Sequence, residues 1–158
     1  MKPLIPVASR FMLVAGRGKG HTRLNAFDGS LVSAKVGNYN LLRVSSILPP
    51  NAERVSNLDV PQGAALLIAY GFQESSELHQ RVSAACAVAI PKNRDVVGVI
   101  TEYEMNGTAK DTVAIVRGMA EEAMKLRGIE IAEILDVSAE IVCESDGHVC
   151  AFAGIALF

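Results

Sequence analysis

The chain has few of the features that mark disulfide-rich, membrane-spanning or nucleic-acid-binding proteins. Its three cysteines leave at least one unpaired and show no Cys-x-x-Cys spacing, so no disulfide scaffold is expected. Its longest apolar runs, 64–70 and 84–90, fall well short of the roughly 20 residues that a membrane helix needs. The 15 basic and 17 acidic residues are dispersed, with a formal net charge of -2, and form no polybasic patch. A small-molecule partner is favoured, with no nucleic acid and no membrane.

Length and composition favour a single domain over residues 1–158. Half of the residues (50%) are apolar, which suffices for one core, and no stretch resembles an interdomain linker. The N-terminal run Pro3-Leu4-Ile5-Pro6-Val7 is interrupted by prolines and followed by Arg10, a poor match to a secretory signal peptide. We therefore expect a cytoplasmic protein.

Cysteine and histidine offer one candidate metal site. Cys143, His148 and Cys150 could face one another across a hairpin and bind zinc. A structural zinc site usually has four ligands, however, and buried thiols commonly act as small hydrophobes. His21 and His79 have no neighbouring ligand pattern. We predict that the protein uses no metal.

Apolar periodicity predicts two helices. The spacing of Leu24, Phe27, Leu31 and Ala34 fits one helical face, with Thr22 as N-cap and Gly37 as terminator. A second helix is predicted over 110–127, ending at Gly128.

Seven strands are predicted around these helices, and several read as continuous apolar runs, which indicates burial on both faces. The stretch 16–20, Gly-Arg-Gly-Lys-Gly, is predicted to be a loop, but it lacks the residue order of a phosphate-binding motif. Ser145-Asp146-Gly147 predicts a hairpin between the last two strands. Paired sheets covered by helices satisfy the layer rule, which gives an α+β sandwich. The predicted strands span 4–15, 38–47, 64–70, 81–90, 96–103, 130–143 and 148–158.

A serine pair, Ser45-Ser46, follows an apolar strand and directly precedes Ile47-Leu48-Pro49-Pro50. The prolines end ladder hydrogen bonding, so the serines are expected where a strand ends. In such a place the Ser46 hydroxyl can attack the Ser45 carbonyl, and Asn40 is a plausible donor to the developing oxyanion. The resulting ester can undergo β-elimination to dehydroalanine, which hydrolyses to a pyruvoyl group. Serine pairs before turns are also ordinary, since serine favours turns and caps.

Motifs along nearly the whole chain resemble the pyruvoyl-dependent arginine decarboxylases in order and approximate spacing. They are Leu24-Asn25-Ala26-Phe27-Asp28-Gly29, the block 37–50, Gly63-Ala64, Ala69-Tyr70-Gly71, Ala87-Val88-Ala89-Ile90-Pro91-Lys92, Glu102-Tyr103-Glu104 and Cys150-Ala151-Phe152-Ala153. The resemblance implies a four-layer αββα sandwich of two mainly antiparallel sheets, assembled as trimers with active sites between subunits. It also implies self-cleavage into 1–45 (β chain) and 46–158 (α chain), a pyruvoyl cofactor derived from Ser46, and no pyridoxal phosphate.

The expected reaction is decarboxylation of L-arginine to agmatine and carbon dioxide. The pyruvoyl ketone would condense with the substrate amine as an imine and accept the electrons left by carbon dioxide. The α-carbon then needs a proton from a nearby acid. Glu102 follows the apolar run 96–100, where desolvation can hold its carboxyl protonated, and the resemblance implies the same role. Glu104 shares its face and could tune it or simply be exposed, whereas Tyr103 should project oppositely.

Asp28 is the candidate substrate-binding residue. A carboxylate can engage the planar guanidinium of arginine with two parallel hydrogen bonds, and the resemblance points to this aspartate. The basic stretch 17–23 would oppose a cationic substrate unless it points away. Another basic amino acid as substrate remains open.

Two other classes of function stay open at this point. An unprocessed, noncatalytic relative would act as a ligand-binding or assembly protein. A serine hydrolase using Ser46 would need a Gly-x-Ser-x-Gly elbow and a nearby histidine, and the sequence around Ser46 has neither. Under the favoured hypothesis the assembly is a trimer of processed chains or a dimer of trimers.

Overall fold

Two stacked β-sheets, each covered on its outer side by one helix, form the fold in a computed structural model that describes residues 5–158. The four-layer αββα arrangement confirms the predicted fold class. In chain order the elements are β1 (Arg10–Gly20), α1 (Arg23–Ser33), β2 (Asn40–Arg43), β3 (Ile47–Leu48), β4 (Glu53–Arg54), β5 (Ala65–Ser75), β6 (Arg81–Pro91), β7 (Gly98–Met105), α2 (Ala109–Leu126), β8 (Ile131–Val142) and β9 (His148–Leu157).

The five-stranded sheet has the order β2-β5-β9-β1-β4, and the four-stranded sheet has the order β3-β7-β6-β8. The long neighbours in both sheets are antiparallel, whereas the short strands β2 and β4 run parallel to β5 and β1. Strands β2 and β3 therefore lie at edges of different sheets, although only three residues separate them in sequence.

The main core lies between the sheets and consists of small and medium side chains. Alternate residues of β6 and β9 point inward, as the period of a strand requires. The remaining residues of β6 face α2, so this strand is buried on both faces, as its continuous apolar sequence predicts. The inward set comprises Val82, Ala84, Cys86, Val88 and Ile90 from β6 with Val149, Ala151, Ala153, Ile155 and Leu157 from β9.

Glycines of β1 allow α1 to lie directly on the five-stranded sheet. Every second residue of the Gly-Arg-Gly-Lys-Gly stretch faces α1, and a Cβ at Gly18 would lie 2.0 Å from the Ala26 carbonyl oxygen. The prediction of a loop at 16–20 is therefore wrong, because these glycines extend β1 and bring helix and sheet backbones together. Lys19, which alternates with them, pairs with Glu144 at 3.7 Å.

The helix ends follow local capping chemistry. Thr22 caps α1 by accepting a hydrogen bond from the Asn25 N–H, as predicted. The predicted terminator Gly37 is wrong, since α1 ends at Ser33 and Lys35 takes the left-handed conformation with φ 64°. Helix α2 ends before Gly128, whose φ of 66° confirms the predicted stop.

Two further predictions about the strands are wrong. The single strand predicted over 38–47 is split into β2 and β3, which join different sheets. Strands β8 and β9 also belong to different sheets, so the turn around Gly147 connects the two layers and does not close a hairpin. Local turn signals indicate that the chain reverses but not which sheet it enters. The short strand β4 was not predicted, and Leu4, where the first strand was predicted to begin, lies outside the described residues.

Within residues 5–158, neither helix is long and apolar enough to cross a bilayer.

Candidate active site

The serine pair lies where the chain leaves one sheet and enters the other. Strand β2 ends at Arg43 in the five-stranded sheet, and β3 begins at Ile47 in the four-stranded sheet. Ser45 is exposed and Ser46 is half-buried. The prediction that the pair lies at a strand end is confirmed, and the pair also bridges the two layers.

Backbone hydrogen bonds anchor the chain on both sides of the pair. The Val44 N–H donates to the Ile68 carbonyl of β5 at 3.0 Å. The Ile100 N–H of β7 donates to the Ser46 carbonyl at 2.8 Å. The bond between Ser45 and Ser46 thus lies between two anchors that belong to different sheets.

Glu102 lies on the same strand, two residues beyond Ile100, so both side chains face the space between the sheets. Its side chain is 22% exposed. The Oε2 atom is buried and has no hydrogen-bond partner among residues 5–158. An unpaired buried carboxylate oxygen is costly, and this cost favours the protonated carboxyl.

The surroundings of Glu102 raise its pKa. Burial is the largest cause, the Arg43 guanidinium opposes it, and the nearby Glu104 carboxylate raises the pKa further. Burial likewise raises the pKa of Glu104, again against the effect of Arg43. These two acids share a face of β7, and Tyr103 projects oppositely, as predicted.

Arg43 reaches from the end of β2 to these acids. Its Nη2 donates to the Tyr70 carbonyl at 2.8 Å and lies 3.9 Å from Glu102 Oε1. The guanidinium carbon also lies 4.8 Å from the centre of the Tyr70 ring. Arg43 was not among the predicted site residues, although it lies two residues before Ser45, where a charged side chain at the end of an apolar strand is a usable signal.

Gly71 provides the space that Glu104 occupies. A Cβ at Gly71 would lie 2.5 Å from Glu104 Oε2 and 3.6 Å from the Glu102 Cβ. Cys86 lies directly opposite Glu102 in the β6–β7 register, and its thiol donates to the Ala153 carbonyl at 3.2 Å. Burial strongly raises the pKa of Cys86, so a neutral thiol packs beneath the acid.

Asp28 is exposed on α1, which packs on the outer face of β1 and β9. Ser46 follows the end of β2, and β2 is two strands away from β9 in the five-stranded sheet. Glu102 lies on the inner side of that sheet. Asp28 and Glu102 therefore lie on opposite sides of the five-stranded sheet.

Asn40 lies at the opposite end of β2 from the serine pair. Its amide nitrogen donates to the Gly63 carbonyl at 2.7 Å, and its backbone N–H donates to the Ala64 carbonyl at 2.9 Å. These bonds fix the beginning of β2 against the loop that precedes β5. Donation to the Ser45 carbonyl within the same chain would require this amide to leave Gly63.

The cysteine and histidine residues near the C-terminus do not converge. Cys143 faces the core between the sheets, whereas Cys150 faces α1. Burial raises the pKa of Cys150 to about 11. No group of three metal-ligating side chains occurs in the described part of the chain.

Comparison with known proteins gives the family. A family model described as pyruvoyl-dependent arginine decarboxylase (PvlArgDC) matches residues 10–157. The protein of that name from Methanocaldococcus jannaschii is 44% identical over 146 residues, which is 92% of this chain and 87% of that protein. The chain belongs to the pyruvoyl-dependent arginine decarboxylase family.

Other relatives agree with this assignment. A pyruvoyl-dependent arginine decarboxylase from Pyrococcus abyssi is 36% identical over 149 residues, covering 93% of each chain. The solved structure of a pyruvoyl-dependent histidine decarboxylase at pH 8 matches with a TM-score of 0.50 at 12% identity, over 63% of this chain and 52% of that one. This chain thus spans about half of the histidine decarboxylase, and that likeness concerns the fold alone.

Family membership confirms the predicted enzyme class, a pyruvoyl-dependent arginine decarboxylase, which is a carbon-carbon lyase. It also confirms that the cofactor is of the pyruvoyl type. The buried, unpaired Oε2 of Glu102 fits such a group, because it places an acid on β7 two residues from Ile100, whose N–H holds the Ser46 carbonyl.

Proposed function

We propose that this chain cleaves itself between Ser45 and Ser46 and then converts L-arginine to agmatine and carbon dioxide. The observation that carries the proposal is the hydrogen bond that anchors Ser46 to Ile100 of β7. Glu102, two residues beyond Ile100, has a buried and unpaired carboxyl oxygen. The two groups that the reaction needs, an electrophile and a proton donor, would then lie on one edge of the four-stranded sheet.

Cleavage begins with the Ser46 hydroxyl oxygen attacking the Ser45 carbonyl carbon, which breaks the peptide C–N bond and leaves an ester. Elimination at Ser46 releases the Ser45 carboxylate, and hydrolysis of the resulting dehydroalanine releases ammonia and leaves the pyruvoyl group. Asn40 supports the first step by fixing β2 through its bond to Gly63. For Asn40 to donate directly to the oxyanion, its amide would have to leave Gly63, or the donor would have to be Asn40 of a neighbouring subunit.

The two fragments stay together after cleavage because 1–45 contributes essential parts of the five-stranded sheet. Strand β1 pairs with β9 from Phe11↔Leu157 to Gly20↔His148, and α1 packs across both strands. Strand β2 remains paired with β5 through four residues. The β chain is therefore held by pairing and packing that do not depend on the broken bond.

The pyruvoyl group supplies a ketone that takes the substrate amine and accepts the electron pair left when carbon dioxide departs. Glu102 returns a proton to the α-carbon. Burial raises the pKa of this carboxyl, so a larger protonated fraction is held near neutral pH than for an exposed glutamate. No metal and no pyridoxal phosphate takes part in this scheme.

Asp28 binds the substrate guanidinium across a subunit interface. On α1 it lies one helical turn from both Leu24 and Val32, which are 72% and 60% exposed. Next to the serine pair, Leu42 and Ile47 are 46% and 39% exposed. Covering these apolar surfaces in a trimer, or a dimer of trimers, would bring Asp28 of one chain towards Ser46 of the next.

The guanidinium of arginine matches the two oxygens of a carboxylate better than the ammonium of lysine or ornithine does. Within the basic stretch 17–23, the charge of Lys19 is balanced in part by Glu144 at 3.7 Å. Cys86, Cys143 and Cys150 are buried and unpaired thiols, which suits the reducing cytoplasm where we place the reaction.

Intact mass spectrometry of the purified protein tests this proposal. We expect fragments 1–45 and 46–158, trapping of a carbonyl on the larger fragment by borohydride, and release of agmatine from arginine. A single full-length species would instead support the noncatalytic alternative. Turnover of lysine or ornithine in preference to arginine would move the substrate to another basic amino acid.

A further inference from the structure

Arg43 is a charged residue between the serine pair and the two acids of β7, and the reaction scheme above gives it no role. It lies on the β-chain side of the proposed cleavage, two residues before Ser45. Through its side chain it connects the end of β2 to β5 and β7.

The guanidinium takes the place of a missing strand at the sheet edge. Pairing between β2 and β5 ends at Arg43↔Ile68, and the Val44 N–H makes the last backbone bond of this edge. The next carbonyl that points to this edge, that of Tyr70, receives its hydrogen bond from Arg43 Nη2 at 2.8 Å. The Tyr70 ring packs against the same guanidinium at 4.8 Å. Two contacts to one residue thus hold the cation in a defined place.

From this place the cation meets two carboxyl groups. Nη2 lies 3.9 Å from Oε1 of Glu102, whereas Oε2 is buried without a partner. Glu104 lies two residues further along β7, and its carboxyl fills the space left open by Gly71. One guanidinium therefore faces two half-buried acids, and a single positive charge balances only one ionised carboxylate.

We propose that Arg43 is a positioning residue for proton transfer: held on Tyr70, its guanidinium faces Oε1 of Glu102 and balances one negative charge, so that the Glu102–Glu104 pair keeps one proton. Glu104 is the second member of this arrangement, and its ionisation keeps the proton on Glu102. The inference rests on the proposed role of Glu102 as the acid.

The groups that face Glu102 act in opposite directions. Arg43 of β2 lowers its pKa, and Glu104 of β7 raises it. Cys86 of β6 is a neutral thiol because burial strongly raises its pKa. Strand β5 presents Gly71, and β9 presents Ala153 at the same level, so neither brings a charge. Removing Arg43 and removing Glu104 must therefore shift the titration of Glu102 with opposite signs.

The test is a carboxyl titration in full-length protein carrying Ser46→Ala, which needs neither cleavage nor turnover. Carbon-13 NMR of labelled glutamate follows the carboxyl resonances, and Glu102→Gln in the same background identifies the one that belongs to Glu102. With Arg43→Met we expect the midpoint of the Glu102 titration (the Glu102 midpoint) to move to higher pH. With Glu104→Gln we expect it to move to lower pH.

Arg10 provides the matched control. Its guanidinium carbon lies 4.8 Å from the ring centre of Phe158, and it pairs with Asp59 at 3.3 Å. Arg10 lies on β1, three positions away from β2 in the sheet. Arg10→Met should leave the Glu102 midpoint in place. Arg43→Lys keeps the charge without the planar fork, so its Glu102 midpoint should lie between those of the parent and Arg43→Met. If Arg43→Met does not fold, Arg43→Lys and Glu104→Gln together test the opposite signs of the two shifts.

Activity gives a second readout in protein that retains Ser46. The pH at which kcat falls on the alkaline side of its pH profile should move with the midpoint of the Glu102 titration in each variant. KM for arginine should stay near the parent value. A large rise in KM with no shift of that pH would make Arg43 a substrate ligand and overturn the inference. Shifts of the same sign, or no shift, for Arg43→Met and Glu104→Gln would also overturn it. Absence of the two cleavage fragments in the parent protein would instead overturn the proposed function and leave the titration result standing.

Discussion

Replacement of Glu102 by glutamine should reduce catalysis and increase stability at the same time. Glutamine keeps the shape of the side chain but carries no transferable acid proton. Positioned general acids typically contribute 10²–10⁴-fold to rate, so kcat should fall by about that factor, or roughly 3–5 kcal/mol of activation free energy. Cleavage into 1–45 and 46–158 should proceed normally, because the proposed attack uses Ser46 and the backbone around it.

The gain in stability follows from the direction of the Glu102 pKa. Burial raises this pKa in the folded state above the value near 4.3 expected for an unfolded chain. The group therefore supports folding fully below the unfolded pKa, and this contribution is lost as pH rises through the folded pKa. Above that range the parent protein must bury an ionised carboxylate, and glutamine removes this cost. The stability difference between variant and parent should be largest near pH 8 and small near pH 4.

Two measurements on the same samples check the prediction. Agmatine formation under saturating arginine gives kcat, and thermal unfolding at pH 4 and pH 8 gives the stability difference. Glu130→Gln is the control, because Glu130 is 79% exposed and pairs with Lys92. A Glu102→Gln enzyme with kcat within about threefold of the parent, well under the 10²-fold floor, would remove Glu102 as the acid. A lower melting temperature than the parent at pH 8 would refute the argument from burial.

Other substitutions test the remaining parts of the site and fold. Ser46→Ala should remain one chain of 158 residues by mass and produce no agmatine; cleavage of this variant would exclude the Ser46 hydroxyl as the attacking group. Asp28→Ala should cleave normally but raise KM for arginine by about 30-fold or more, the effect of removing one partner of a charged hydrogen-bonded pair, and an unchanged KM would move the guanidinium site elsewhere. Gly18→Ala should lower the free energy of unfolding by about 3 kcal/mol in denaturant titrations, because its Cβ would meet the α1 backbone at 2.0 Å. Gly118→Ala, at a helical position with no atom within 4 Å of the new Cβ, should instead raise it by about 1 kcal/mol, and equal effects of the two alanines would contradict the packing argument.

Much of the fold was predictable because local chemistry decides it. Thr22 and Gly128 set helix ends through their own capping geometry, and the apolar run of β6 indicates burial on both faces. The failures occur where two distant backbones meet. The glycines at 16–20 look like a flexible loop in sequence, but they are required by a helix that packs on a strand at backbone distance. No local sequence pattern indicates that α1 packs against β1 at residues 16–20.

The division of strands between the sheets was also beyond the reach of local patterns. Residues 38–47 have the composition of one strand, and the break at 44–46 is imposed by two partners, β5 and β7, that follow later in sequence. The same holds for the turn around Gly147, which reverses the chain but joins different layers.

The candidate site was predicted in part. The motif around Glu102 suggests a buried carboxyl at a strand, and this carboxyl lies on β7 two residues from Ile100, whose N–H holds the Ser46 carbonyl. Arg43 was missed because its importance depends on the Tyr70 carbonyl, which lacks a strand partner only once β2 has ended. Asp28 is a different case, since it lies on α1 outside the five-stranded sheet, and no sequence pattern gives its separation from the serine pair.

A change of sheet is a suitable place for a chain to break itself. A strand cut in its middle would lose pairing on both sides of the break, whereas here each side of the Ser45-Ser46 bond has its own sheet. The Val44 N–H holds the upstream end to β5, and the Ser46 carbonyl, which lies downstream of the break, accepts from the Ile100 N–H of β7. Under the proposed cleavage, the new terminal group therefore keeps its attachment to the strand that carries Glu102. The acid and the electrophile would stay aligned because the bond that breaks lies outside the contacts that hold them together.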